Sequence, residues 1–263
     1  MIKPLQPSRT WIPLSRSIRT LFTTKQLMGI SFILFLATGL LTWAGYEVSL
    51  SLIDHYTAPF FSHPPSQGTL TGWLTFASLK IMHWLYLLLS RTISFYLIFI
   101  LAYAITCPGY VFLSTSAENL NTGQMWRSND TLSLKTLRRD LLEGIKIGLL
   151  GLLISPLVLA INFIPVIGQL VGFLLYAYYS AIMFVDYPSS RRQWSLGKKI
   201  RWVRTHPWIC LRLGFLPALI SMVPLLNVFF IALLFPLLTI HTTLNFAAIE
   251  GSDQIGHDLV GKL

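Results

Sequence analysis

Lys80, His83 and Arg91 fall within some forty mostly apolar residues, Trp73 to Leu113, and their spacing gathers them. At about 100° per residue, positions eleven apart return to within about 20° of each other, so a helix puts Lys80 and Arg91 on one stripe, with His83, Leu87 and Ser94 on or near it. An ionisable side chain inside a membrane helix is costly and often functional, and such a stripe suits an anion path. The competing role is structural: both cations could lie near an interface and extend their charges to water. Lys25, beside the first long apolar run, is a third candidate cation, and lysines in that position also set topology. Asp186, Pro188, Arg191 and Arg192 end another apolar arm, where the carboxylate can pair with a nearby arginine and fix the exit of the arm. Chemistry that makes or breaks bonds has no matching constellation. The six histidines lack metal-ligand spacing, and there is no Gly-rich phosphate loop, GxSxG elbow or HExxH. Cys107 and Cys210 lie in apolar stretches far apart, without a disulfide or zinc pattern. No enzymatic activity, cofactor or metal is expected.

The elements that would carry these residues are membrane helices. The chain has 263 residues, 54% hydrophobic and 11% charged, against roughly 25% charge in a soluble domain. An all-α, polytopic membrane protein follows. The net charge of +10 would suggest nucleic acid in a soluble chain. Here the basic residues bunch beside apolar runs, as a topology signal does, and no nucleic-acid partner is expected.

One membrane domain accounts for residues 1–263. Residues 1–26 are basic, with Lys3, Arg9, Arg16, Arg19 and Lys25 and no acid, and read as a cytoplasmic interfacial segment. Residues 27–53 are uncharged apart from Glu47 and form the first spanning helix; the run is too long for the apolar core of a signal peptide. Asp54 to Gly72, rich in Pro and Gly and without Lys or Arg, reads as an extracytoplasmic loop. Residues 73–113 make one long helix, and Ser114 to Asp140 turns polar as the main cytoplasmic connection, before a charged helix from Leu132 to Lys146.

Two hairpins follow, at 147–186 and 208–248. Their apices echo each other, NFIPVIGQ at 162–169 and SMVPLLNV at 221–228, aligning Pro165 with Pro224 and Gly168 with Asn227. The leading arms, Ile147 to Phe163 and Trp208 to Met222, are about 25 Å and about 22 Å long at helical rise, short of the roughly 30 Å hydrocarbon layer. Neither apex is hydrophilic. Both hairpins are therefore read as entering the bilayer and turning back, which is tolerated only against protein or water. The segment 187–207 between them is strongly basic, and 249–263 forms a tail; both termini are placed in the cytoplasm.

The order FIPVIGQ, then DYP at Asp186 to Pro188, then a basic amphipathic segment, then Gly214 leading into VPLLN, resembles the CysZ-type sulfate permease family, as does CPGYVFLSTSAENLNTG at 107–123. The resemblance implies two long spanning helices, two partly penetrating hairpins and a homo-oligomer in a bacterial-type inner membrane, passing sulfate for sulfur assimilation without an ATPase domain. It also implies an anion site of Gly and Arg just before the first spanning helix, where this chain reads Thr23-Thr24-Lys25-Gln26. The family extends to eukaryotic etoposide-induced membrane proteins, so the alternative is a membrane scaffold or assembly protein whose hairpins and basic face bind partners or lipid.

Overall fold

The computed structural model describes residues 11–61, 70–122, 134–222 and 226–260, and every element among them is helical. In order these are α1 (Leu14–Thr23), α2 (Lys25–Phe61), α3 (Leu70–Thr122), α4 (Leu134–Ile161), α5 (Ile167–Ser190), α6 (Leu196–Thr205), α7 (Pro207–Ser221) and α8 (Leu226–Val260). Among the described residues, five stretches are long and apolar enough to cross a membrane: Lys25–Thr57, Ser78–Asn121, Arg138–Ile161, Ile167–Ser190 and Ala232–Glu250. The protein is an all-helical, multi-pass membrane protein. α7, with 15 residues, is shorter than the others.

Several boundaries differ from those the sequence suggested, each for a local reason. α3 continues through Pro108 to Thr122 rather than giving way to a loop at Ser114. Its polar residues Ser114, Thr115, Ser116 and Asn119 are buried, and Thr115 returns its hydroxyl to the Val111 carbonyl at 2.9 Å. Polarity there marks a buried helix face. α4 fuses the charged lead-in with the first hairpin arm into 28 residues that run through Pro156. Its apolar stretch of 24 residues spans about 36 Å at helical rise, so length alone does not stop this arm from crossing. α2 enters the expected loop as far as Phe61, and α8 passes the expected hairpin end to reach Val260.

The chain forms two compact units. One, Leu36–Thr106, pairs the later part of α2 with the earlier part of α3. Gly45 lets Ile98 approach, Thr38 Oγ1 donates to Thr106 Oγ1 at 3.2 Å, and Tyr46 meets Phe95 edge-on at 5.9 Å. The remaining surface of this pair is largely apolar, with Leu40, Trp43, Trp84, Leu88 and Leu97 exposed, as befits helices solvated by lipid.

The other unit, Met1–Phe35 with Cys107–Leu263, holds the main core. α5 packs against α4, α7 and α8, and α1 lies on α8. Its closest approach is to α7: a Cβ on Gly214 would collide with the Ala177 carbonyl. Small residues let membrane helices pack backbone to backbone, where dispersion contacts replace a hydrophobic driving force. Phe235 of α8 anchors an aromatic group, 4.7 Å from Tyr110 and 5.0 Å from Phe184, ring to ring. A second group joins Trp194 and Trp202 to Phe246 at 5.2 and 5.0 Å.

The two ends of α5 are shaped by unusual backbone. At its start the chain reverses over Asn162 to Val166, closed by Ile164 N–H to Ile161 O at 2.9 Å and Gly168 N–H to Ile164 O at 2.9 Å. Val166 takes φ 65°, a region β-branched residues rarely enter. A Cβ at buried Gly168 would meet the Ile161 carbonyl, which is why glycine sits three residues after Pro165. At the other end Gln193 adopts φ 53°, with Gln193 N–H to Ser190 O at 2.8 Å and Trp194 N–H to Ser189 O at 3.2 Å. This is the Schellman pattern that glycine usually completes. Arg139 holds the glutamine there, donating to its side-chain oxygen at 2.7 Å and its carbonyl at 2.6 Å.

Candidate functional site

The basic segment between the hairpins folds back as α6, whose amphipathic spacing sends Lys199, Trp202 and Val203 inward and leaves Lys198, Arg201 and Arg204 outside. Lys199 is fully buried, and its Nζ donates to Asp186 Oδ1 at 2.5 Å. The sequence suggested an arginine for Asp186. The lysine one element later takes that place, because the α5 cap turns the chain so that α6 covers the end of α5.

Arg191 and Arg192 reach other elements instead. Arg192 bridges Glu118 of α3 at 3.1 Å and Glu250 of α8 at 3.3 Å, with its guanidinium 4.8 Å from the Phe246 ring centre. Arg191 donates to Asn119 Oδ1 at 3.0 Å. Glu143 of α4 completes the cluster: it pairs with Lys146 at 2.6 Å and accepts the Leu196 N–H at 2.7 Å, at the start of α6. Buried Pro188 lies within α5 between these groups. Three helices, α3, α4 and α8, are thus pinned to the α5–α6 turn by charges and hydrogen bonds. A buried charge is tolerated when it is paired and hydrogen-bonded, and this cluster has the chemistry of a structural clasp.

The candidate path cations have a different setting. Lys25 is exposed at the first residue of α2, in the unit with the main core. Lys80 and Arg91 are exposed on α3 in the Leu36–Thr106 unit, separated by about 16 Å of helical rise. His83 on the same helix is half-buried. Among the described residues neither Lys80 nor Arg91 has a carboxylate within ion-pair distance. Both lie within the apolar stretch Ser78–Asn121, so they present charge on a face that is otherwise membrane-compatible.

At the first apex, Phe163, Ile164, Pro165, Val166 and Ile167 are all exposed, Phe163 at 84%. Asn162 is the polar side chain beside them. Pro224 lies outside the described residues, and Asn227 falls within α8 with its side chain outside them.

Sequence reasoning missed Lys199, Glu118, Glu143 and Glu250, and a polar face on α8. Thr239, His241, Thr242, Thr243 and Asn245 are all buried there. Thr239 and Thr243 return hydroxyls to carbonyls one turn back, Ser114 and Thr243 lie 2.8 Å apart, and Ser17 Oγ is 2.9 Å from His241 Nδ1. Two signals were readable. Lys199 shares its i, i+3, i+4 stripe with Trp202 and Val203, and a chain with only ten acidic residues makes each acid a candidate partner for the basic segment.

A family model described as Sulfate transporter CysZ/Etoposide-induced protein 2.4 matches residues 14–232. Two curated relatives, both named Sulfate transporter CysZ, from Pseudomonas aeruginosa strains LESB58 and PAO1, are each 26% identical over 170 residues, covering 60% of this chain and 66% of the relative. The match therefore spans just under two thirds of those relatives' length. With the model matched from α1 through the α5–α6 turn and into the first residues of α8, the chain belongs to the Sulfate transporter CysZ/Etoposide-induced protein 2.4 family.

Proposed function

We propose that this protein is a permease that passes a small inorganic oxyanion, sulfate foremost, across a bacterial-type inner membrane to supply sulfur assimilation. The observation that carries the reading is the family match across residues 14–232, joined by relatives that bear the name of a sulfate transporter. The geometry supplies a mechanism consistent with it. An oxyanion entering a membrane loses water, and exposed Lys80 and Arg91 offset that loss from one stripe of α3; Lys25, exposed at the start of α2, is a further cation for the anion. No covalent step is needed, so the protein works as a conduit, not an enzyme.

The apolar apex at Phe163 to Ile167 supports hairpins that turn within the bilayer, since a tip emerging into water would expose these side chains to it. The cations of α3 need company too. A second copy of the chain facing them supplies protein in place of lipid, and the working form is a homo-oligomer with both termini in the cytoplasm. Flux of labelled sulfate into vesicles containing the purified protein tests the proposal, with chloride and phosphate as competitors. Uptake above that of empty vesicles, inhibited by unlabelled sulfate, is expected; folded protein with no uptake removes the permease reading.

A further inference from the structure

The cations of the main unit differ in whether a carboxylate answers them. Lys146, Arg191, Arg192 and Lys199 each face a carboxylate. Arg16, Arg19 and Arg212 face none among the described residues, and no acid occurs in the sequence from Trp11 to Tyr46 or from Tyr187 to Ala248. Trp11, just before α1, lies 5.6 Å from the Arg212 guanidinium of α7 and meets His241 edge-on at 5.4 Å.

α1 is fixed by its inward face. Asn245 of α8 reads the backbone of Ile12 at both ends, accepting its N–H at 2.9 Å and donating to its carbonyl at 3.2 Å. Ser17 and Leu21, one turn apart, are buried, with Ser17 against His241. The outward face then carries Ile18, Arg19 and Phe22, Phe22 being 66% exposed. The hydroxyls of Thr20 and Thr23 are turned back to the carbonyls of Arg16 and Arg19, at 2.9 and 2.7 Å. On α7, Trp208 is 76% exposed one turn before exposed Arg212.

Large apolar groups alternating with unneutralised guanidinium groups fit neither hydrocarbon nor bulk water, and they match the boundary between headgroups and acyl chains. We propose that the outward face of α1, with Arg212 and Trp208 of α7, is a binding surface for anionic phospholipid. Arg19 and Arg212 take headgroup phosphates, and Phe22 and Trp208 enter the acyl boundary. A free inorganic anion would engage the guanidinium groups but leaves the exposed aromatic groups without a role. Because Asn245 and Ser17 already hold α1 in place, the surface binds without first ordering a helix.

Native mass spectrometry of the full-length protein in detergent, with phosphatidylglycerol or phosphatidylcholine added, tests this. Wild type should retain phosphatidylglycerol preferentially. Arg19→Gln with Arg212→Gln should weaken that preference by roughly fivefold per cation, whereas Arg204→Gln, an exposed cation on α6, should leave it nearly intact. Phe22→Ser, on a side chain that faces outward, should lower retention of phosphatidylglycerol without altering thermal unfolding, and it keeps the test decisive if the double variant misfolds. No preference in wild type, an equal loss in Arg204→Gln, an unchanged Phe22→Ser, or full displacement of the lipid by millimolar inorganic phosphate would each overturn the proposal.

Discussion

The α5–α6 clasp and the basic stripe of α3 place cations in opposite circumstances. Lys199 is fully buried against Asp186, and Arg192 is shared between Glu118 and Glu250, whereas Lys80 and Arg91 stand exposed within an apolar stretch. A cation whose charge is already answered by protein has no electrostatic capacity left for a ligand. One that is unanswered, and held where water is scarce, attracts whatever anion reaches it. The difference teaches that burial with a partner separates the cations that cross-link helices from those that no described carboxylate answers.

The comparison is most severely tested by Lys199→Met. Removing one member of a buried pair strands the other, a loss of about 3 to 5 kcal/mol, while replacing both by apolar groups is often nearly neutral. Thermal unfolding in detergent should therefore show a large drop for Lys199→Met and recovery of most of it in Lys199→Met with Asp186→Leu. A single variant as stable as wild type would mean that the pair contributes nothing to the fold, and the clasp would have to be reassigned.

Arg91→Gln makes the converse change. It should leave unfolding nearly unaltered, because no partner among the described residues is stranded, yet lower sulfate flux. Focused fields raise local ion concentration by roughly tenfold or more, so a loss of that order is expected, with a similar or smaller one for Lys80→Gln. Unchanged flux in both would take the stripe out of the mechanism and leave it as a pair of interfacial charges.

How much of this was readable in the sequence depends on whether the signal was local. The first apex was readable because proline and a glycine three residues later reflect constraints of the turn itself, and Gly168 does sit where a Cβ would strike Ile161. The length of α3 beyond Pro108 was not. Its polar end resembles a loop until Ser114 is seen against Thr243 and Glu118 against Arg192, partners more than seventy residues away. The partner of Asp186 was misread for the same reason: proximity in sequence favoured Arg191 and Arg192, whereas the left-handed Gln193, held by Arg139, swings α6 back and delivers Lys199. The cations of α3, by contrast, were legible as a stripe because helical periodicity alone determines it.

Ionic strength separates the two kinds of charge without any substitution, with the smallest expected effect. Raising salt from 0.1 M to 1 M shortens the screening length from about 10 Å to about 3 Å, which weakens exposed charges and hardly touches buried pairs. Thermal unfolding should thus change little, since Lys199 and Asp186 are shielded from solvent. Flux should fall by a few-fold, and part of that fall will reflect added ions competing for the path. Arg91→Gln isolates the remainder: competition persists in the variant, but the field from Arg91 does not, so its flux should respond less steeply to salt than wild type. Equal slopes would show that Arg91 exerts no field on the permeating ion, whereas a shallower slope at unchanged stability would identify the exposed cation as the one that works on the anion.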